Sequence, residues 1–264
     1  MGPRPARWLA LALVIGLASV PARAQEDTND PLEPFNRAVF TVNDTLDQML
    51  LEPIAMGYRW AVPDLAKEGV SNILDNLRGP VTLLHDLLQG EWDRARITGG
   101  RFMLNSIVGL GGIFDVATWA GMEDGHDEDL GQTLAVWGVP DGPYLMLPLL
   151  GPSNPRDAIG RVGDLFLDPF SIIDTPTEFA VSRVAGTVVT FREQNLDTIA
   201  ELRRSSLDFY ATTRTLGRQV RASEIRNGQP ADFGDIYDES LYDEPLDDPA
   251  GDPFADPAAP EGGQ

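Results

Sequence analysis

Residues able to do chemistry are few in this chain, and their spacing narrows what that chemistry could be. The 264 residues include two histidines and no cysteine. His126 stands in the run Glu123-Asp124-Gly125-His126-Asp127-Glu128-Asp129, where carboxylates and an imidazole could gather a metal ion. The order is wrong for a helix–loop–helix calcium loop. Asp124, His126 and Glu128 break the oxygen spacing, and the turn glycine and closing glutamate are misplaced. The run is therefore expected to be a solvated loop holding no metal. His85, beside Asp86, is expected to be a partly buried structural histidine. No G-x-S-x-G is present, so a hydrolytic triad lacks parts. Gly109-Leu110-Gly111-Gly112 follows a helical pattern rather than a strand, which argues against a nucleotide loop. A tight helix–helix corner and the wall of a channel both remain open for it. The chain is expected to be no enzyme and to need no cofactor.

The elements that would position any site centre on residues 130–160, LGQTLAVWGVPDGPYLMLPLLGPSNPRDAIG. Leu130, Leu134 and Trp137 have helical spacing. Gly138, Pro140, Gly142 and Pro143 then stop the helix. The apolar run Tyr144-Leu145-Met146-Leu147-Pro148-Leu149-Leu150 follows and is closed by Gly151-Pro152. Asn154-Pro155 reads as an N-cap followed by proline at the first helical position. The run is either a buried connector or short strand, or a hydrophobic hairpin that meets lipid. Its internal proline argues against a central strand.

Around this stretch the periodicity is helical. Asp30, Pro31 and Glu33 have the form of a capping box ahead of Phe35, Val39, Val42, Leu46 and Met49 on one face, ended by Glu52-Pro53. A helix from Pro63 or Asp64 carries Ala66, Val70, Ile73 and Leu77, and Gly79-Pro80 is expected to break it. Val81, Leu84 and Leu88 make a short helix ended by Gly90. Residues 91–108 form a longer one, with small Gly99 and Ser106 allowing close approach. Residues 113–120 suggest a short helix. Ala158, Val162, Leu165 and Phe166 continue the helix from Pro155 as far as Asp168-Pro169. Thr175-Pro176-Thr177-Glu178 resembles a second capping box before Val184, Val188 and Phe191. Residues 196–222 form the longest periodic segment. The expected fold class is all-α: one flat domain of about eight short amphipathic helices at residues 25–226, lying in the plane of one leaflet.

Residues 1–24 have the form of a secretory signal: Arg4 and Arg7, an apolar segment, then Ala22-Arg23-Ala24 before Gln25. The formal net charge is −21, and residues 227–264 hold eleven carboxylates with no Lys or Arg. This acidic tail is expected to be disordered. Such a charge repels nucleic acid and anionic lipid alike. Apolar contact would therefore have to hold the body in any membrane. Without a cysteine there is no thiol to acylate, so attachment is expected to come from the folded body or a partner.

Four ordered motifs resemble those of the MlaA (VacJ) family. They are Asp30-Pro31-Leu32-Glu33-Pro34-Phe35-Asn36-Arg37; Gly69-Val70-Ser71-Asn72 with Asn76-Leu77; Arg101-Phe102 and Asn105 through Gly112 with Asp115-Val116-Ala117; and the string GQTL, WGV, GPYLMLP, GPSNPRDAIG. The family's members are typically lipoproteins acylated on a cysteine after the signal, and the position here is Gln25.

The resemblance implies a ring- or disc-like helical body in the outer membrane beside a trimeric porin, with a central amphipathic channel. Mislocalised phospholipids of the outer leaflet would pass through it to the periplasmic carrier MlaC, maintaining lipid asymmetry. A hairpin at about residues 138–151 would adjoin the channel. There Gly138, Gly142 and Gly151 would permit motion, and Tyr144, Leu145, Leu147, Leu149 and Leu150 would supply apolar lining. Asn105, Asp115 and Arg156, with Gly109, Gly111 and Gly112, would hold the motifs together, helix capping or ion pairing being the alternative role. The rival reading is a structural or interaction protein of the periplasm or envelope without lipid transfer.

Overall fold

A computed structural model describes residues 29–229 apart from residue 174. The signal at residues 1–24 and the acidic tail past residue 229 lie outside the described residues. Within them the fold is helical: α1 (Glu33–Leu46), a π-helical turn (Asp47–Leu51), α2 (Glu52–Ala61), α3 (Asp64–Gln89), α4 (Trp92–Ile107), α5 (Val116–Trp119), α6 (Leu130–Val136), α7 (Pro155–Leu167), α8 (Pro169–Ile172), α9 (Thr177–Gln194), α10 (Leu196–Ser205) and α11 (Phe209–Ile225). Between α6 and α7, β1 (Leu145–Leu147) pairs antiparallel with β2 (Gly151–Ser153), Met146 facing Pro152.

The packing closes on itself. α1 contacts β1 and leads through the π-turn to α2, α2 packs on α9, α9 on α3, α3 on α6, α6 on α11, and α11 on β2, which pairs with β1. The α6–α7 crossing is close because Gly160 lies over Gly131. A Cβ on Gly160 would sit 2.4 Å from the Gly131 nitrogen.

Several local expectations yield to tertiary context. Pro53 does not end the first helix. The Glu52 N–H reaches back to the Asp47 carbonyl, a π-type bond, and Pro53 enters the first turn of α2, where its missing N–H leaves no gap. Pro80 sits inside α3, which packs along α4 with Phe102 seated on Gly79. Packing there outweighs a local breaker. The segment 196–222 is two helices. Ser206 is extended, and Asp208 caps α11 through the Ala211 N–H at 3.0 Å while pairing with Arg37 at 2.6 Å. Only Val116–Trp119 is helical in the 113–120 stretch. Neither supposed capping box operates. α1 and α9 have no side-chain cap, and Thr175 donates instead to the Phe170 carbonyl at 2.8 Å.

The helices are turned inside out relative to a water-soluble bundle. On α1, Asn36 is buried, whereas Phe35, Val42 and Leu46 are exposed, as is Met49 in the π-turn. On α9, Thr190, Arg192 and Glu193 are buried while Val181, Val184 and Phe191 face outward; on α7, Arg156 and Asp157 are buried below exposed Val162, Leu165 and Phe166. Among the described residues nineteen polar side chains are buried against eight apolar ones, so hydrogen bonds and ion pairs, not a greasy core, hold the interior. The Arg192 guanidinium pairs with Asp47 at 2.6 Å and Glu52 at 3.1 Å, and Arg203 with Asp44 at 2.8 Å. These contacts clamp the π-turn to α9 and α10.

Candidate functional site: a clasped hairpin and a polar cavity

The hairpin is built onto α1 by two asparagines seven residues apart, hence two turns apart on one face. Asn36 donates to the Tyr144 carbonyl at 3.1 Å and accepts from the Met146 N–H at 2.9 Å. Asn43 repeats this one step along, donating to the Leu147 carbonyl at 2.9 Å and accepting from the Leu149 N–H at 2.9 Å. The two amides act as a stand-in strand for the free edge of β1. Asn29 ties the entry, donating to the Gly142 carbonyl at 2.8 Å.

Below the clasp lies a buried polar knot. The Asp30 carboxylate accepts from Asn36 at 2.7 Å, from Arg214 at 2.9 Å and from the Tyr210 hydroxyl. Asp30 therefore fastens α1 to α11 rather than capping α1. Tyr144, Met146 and Tyr210 pack together above it with Val39 and Phe40. Burial, followed by the Asp30 charge, pushes the Tyr144 phenol well above its ordinary range.

This geometry corrects the expectation that residues 144–150 are apolar lining throughout. Tyr144 is 3% exposed and Leu145 8%, so both belong to the interior. The tip is the opposite: Leu149 is 77% and Leu150 61% exposed. Leu147 lies between. Pro148 falls just past β1, where no ladder bond is asked of it. Leu149 adopts φ +64, a strained value for a branched side chain, held by the Asn43 bond. Gly138, Gly142 and Gly151 have φ of +87, +77 and +75, which shape the hairpin's entry and turn. Proline could not replace Gly142 at such an angle.

The second group of motif residues meets elsewhere. Asp115 caps α5 by accepting from the Thr118 N–H at 3.2 Å, and it also accepts from the Thr118 hydroxyl at 2.6 Å, from Asn105 at 2.9 Å and from Arg101 at 2.8 Å. Burial disfavours its anion, yet the bonds from Thr118 and Asn105 and the Arg101 charge prevail and hold the carboxyl below its usual value. Asn105 also accepts from the Ala117 N–H at 2.9 Å. Gly109, Gly111 and Gly112 make the corner between α4 and α5. At Gly112, with φ +95, a Cβ would fall 2.6 Å from the Asn76 Cβ. Of the two readings left open for this sequence, the corner is what the structure builds.

Asn105 and Asp115 also line a cavity of about 420 Å³ between α3, α4 and the 121–129 loop. Arg156 stands apart from it, donating to Asp157 at 3.0 Å and reaching the Val139 carbonyl at 3.4 Å; Asn154 caps α7 as expected, through the Asp157 N–H at 2.9 Å.

The acidic loop is exposed at Glu123, Asp124, Gly125 and Asp127, as expected, but is docked through His126 and Glu128. His126 is bonded to Asp86 at 2.8 Å, and Glu128 accepts from Gln89 at 2.8 Å and Arg94 at 2.9 Å. Donor atoms of Asp86, His126 and Glu128 lie within 4.8 Å of one another. Their carboxylates are engaged by Thr98, Gln89 and Arg94. His85 is fully buried between Thr133 and Asp164, each at 3.0 Å. Sequence reasoning missed the asparagine clasp. Its only trace was polar Asn36 and Asn43 recurring seven residues apart, about a quarter turn from the apolar stripe.

A family model described as MlaA lipoprotein matches residues 28–224. The chain is 35% identical over 201 residues to an Escherichia coli protein named intermembrane phospholipid transport system lipoprotein MlaA, covering 75% of this chain and 79% of that one. It is 32% identical over 207 residues to the Haemophilus influenzae protein of the same name, covering 77% and 82%. An uncharacterized protein of Rickettsia bellii is 34% identical over 198 residues, covering 75% and 77%. A solved chain from work on the structural basis for maintenance of bacterial outer membrane lipid asymmetry superposes with a TM-score of 0.67 at 33% identity, covering 74% of this chain and 98% of that one. By the family model and by these identities, the chain belongs to the MlaA lipoprotein family.

Proposed function

We propose that this protein sits in the outer membrane and takes mislocalised phospholipid from the outer leaflet toward a periplasmic carrier, so maintaining lipid asymmetry. The observation that carries this reading is the inversion of the fold: polar clasps inside, exposed Phe, Trp, Val and Leu outside. Exposed apolar area on this scale marks a membrane or partner interface. No described helix is long and apolar enough to cross a membrane. Helices lying along one leaflet satisfy their own backbone and need only their outer face in hydrocarbon. The names of the relatives, which speak of intermembrane phospholipid transport, support the same function.

In this reading the hairpin tip, with Leu147, Leu149, Leu150 and Gly151, meets acyl chains, and Gly138 and Gly142 form the joint at its base. A trimeric porin would hold the body in place, and the MlaC carrier would receive the lipid. No bond is made or broken; both histidines serve as structural ties. The test is transfer of fluorescent phospholipid from vesicles bearing the protein to the purified carrier, together with membrane fractionation and mass spectrometry of what co-purifies. Transfer above the protein-free rate supports the reading. A protein that stays in the aqueous fraction and carries no lipid defeats it.

A further inference from the structure

The sulfur of this chain is all thioether: six methionines and no cysteine. A two-electron oxidant of the peroxide class meets thiolates first where they exist, so here methionine is the sulfur left to take it. Five of the six lie among the described residues, and burial divides them. Met49 in the π-helical turn is 75% exposed, Met103 on α4 60% and Met56 on α2 49%. Met146 in β1 is buried, and the Met122 methyl is seated against Gly100, where an added Cβ would lie 3.0 Å from it.

The three exposed methionines stand in apolar company. Leu46 and Leu50 flank Met49, Trp60 lies one turn on from Met56, and Ile107 lies one turn on from Met103; all four of these neighbours are exposed. Each methionine is thus on apolar surface of the kind that the transport reading sets in hydrocarbon. The bonds that hold the fold are elsewhere. At the π-turn they run from Arg192 to Asp47 at 2.6 Å and from Arg203 to Asp44 at 2.8 Å. Oxidation of the three can therefore change the surface without loosening the interior.

We propose that Met49, Met56 and Met103 are oxidant-modification sites, and that their sulfoxides release the body from the membrane. The oxidant is a hydroperoxide. The sulfur lone pair attacks one peroxide oxygen, and the S–O bond forms as the O–O bond breaks. Sulfur is oxidised by two electrons; the second oxygen leaves as hydroxide and takes the proton from the first to become water. A sulfoxide is an acceptor that hydrocarbon cannot satisfy, so each one formed works against partition. The proposal rests on the transport reading and adds a redox control to it.

The test treats the full chain with hydrogen peroxide at neutral pH, once in mild nonionic detergent and once already seated in phospholipid vesicles. Oxygen addition is mapped by peptide mass spectrometry. In detergent, Met49, Met56 and Met103 should be oxidised well before Met146. Transferred to vesicles, the oxidised protein should partition about tenfold less for one sulfoxide and about a hundredfold less for three, the scale set by apolar side chains. Methionine sulfoxide reductases for both epimers should restore it. The Met49→Leu, Met56→Leu, Met103→Leu variant should keep its partition through the same treatment. Oxidation of Met146 as early as of the other three overturns the choice of sites. Unchanged partition with all three oxidised overturns the release step, and so does equal loss in the triple variant. In vesicles the three should react several-fold more slowly than a free methionine peptide. The same rate as that peptide defeats the membrane reading itself, whereas slow reaction with unchanged partition leaves that reading standing and overturns only the release.

Discussion

The two sides of α1 are opposite in chemistry. Its inner side presents Asn36 and Asn43, each amide donating to and accepting from hairpin backbone. Its outer side presents Phe35, Val42 and Leu46, exposed among the described residues. In water the apolar side would be driven inward. Here polar groups fill the interior, and each is affordable only because it has a partner. Stability therefore lives in directional bonds on one side, and in the proposed function the apolar area on the other is what meets the membrane. The hairpin repeats the division along its own length, from the buried base at Tyr144 to the bare tip at Leu149.

Variants can break or sharpen this contrast. The largest effect should come from Asp30→Asn, which strips the nearer counter-charge from buried Arg214 and leaves it only Glu33 at 4.0 Å. A loss of about 3–5 kcal/mol is expected, read by denaturant titration in detergent; a loss below about 1 kcal/mol would mean the knot is not where stability resides. Asn36→Ala comes next, at about 3 kcal/mol, because it orphans the Tyr144 carbonyl and the Met146 N–H together.

On the outer side Val184→Asp should leave unfolding within about 0.5 kcal/mol of the parent. Its partition into vesicles should fall about tenfold, the scale set by one apolar side chain. A large loss of stability with unchanged partition would reverse the assignment of the two sides. Asn43→Ala, nearer the surface, should lose only about 1 kcal/mol and loosen hydrogen exchange at Leu149 alone.

The smallest effect is a pH dependence at the α4–α5 corner. Asp115 has a folded carboxyl held below its unfolded value of 3.8. Its contribution is thus complete above pH 3.8 and is lost as the pH falls through the lower folded value. Faster exchange of the Thr118 amide under acid, abolished in Asp115→Asn, is the expected signature.

Part of this was legible in one dimension. Helical periodicity, the Asn154-Pro155 start of α7 and the glycine corner at 109–112 are local statements, governed by backbone angles and neighbours a few residues away. The segment 196–222 misled for the same reason. Its periodicity is continuous, and only Arg37, 171 residues distant, holds Asp208 where it starts a new helix. Pro53 and Pro80 misled because what accommodates them is a shifted hydrogen-bond ladder and a neighbouring helix.

What the residues fixed alone was the alternation of apolar and polar faces, the breaks between most helices and the sign of the charge. Which face turned inward was decided in three dimensions. An amphipathic stripe is symmetric as a pattern, and only the pairing of Asn36, Asp30 and Arg214 with distant backbone and side chains selects the polar side as the interior. The cavity belongs wholly to that second level, since Asp75 and Asp124 come together only when α3 and the 121–129 loop fold against each other.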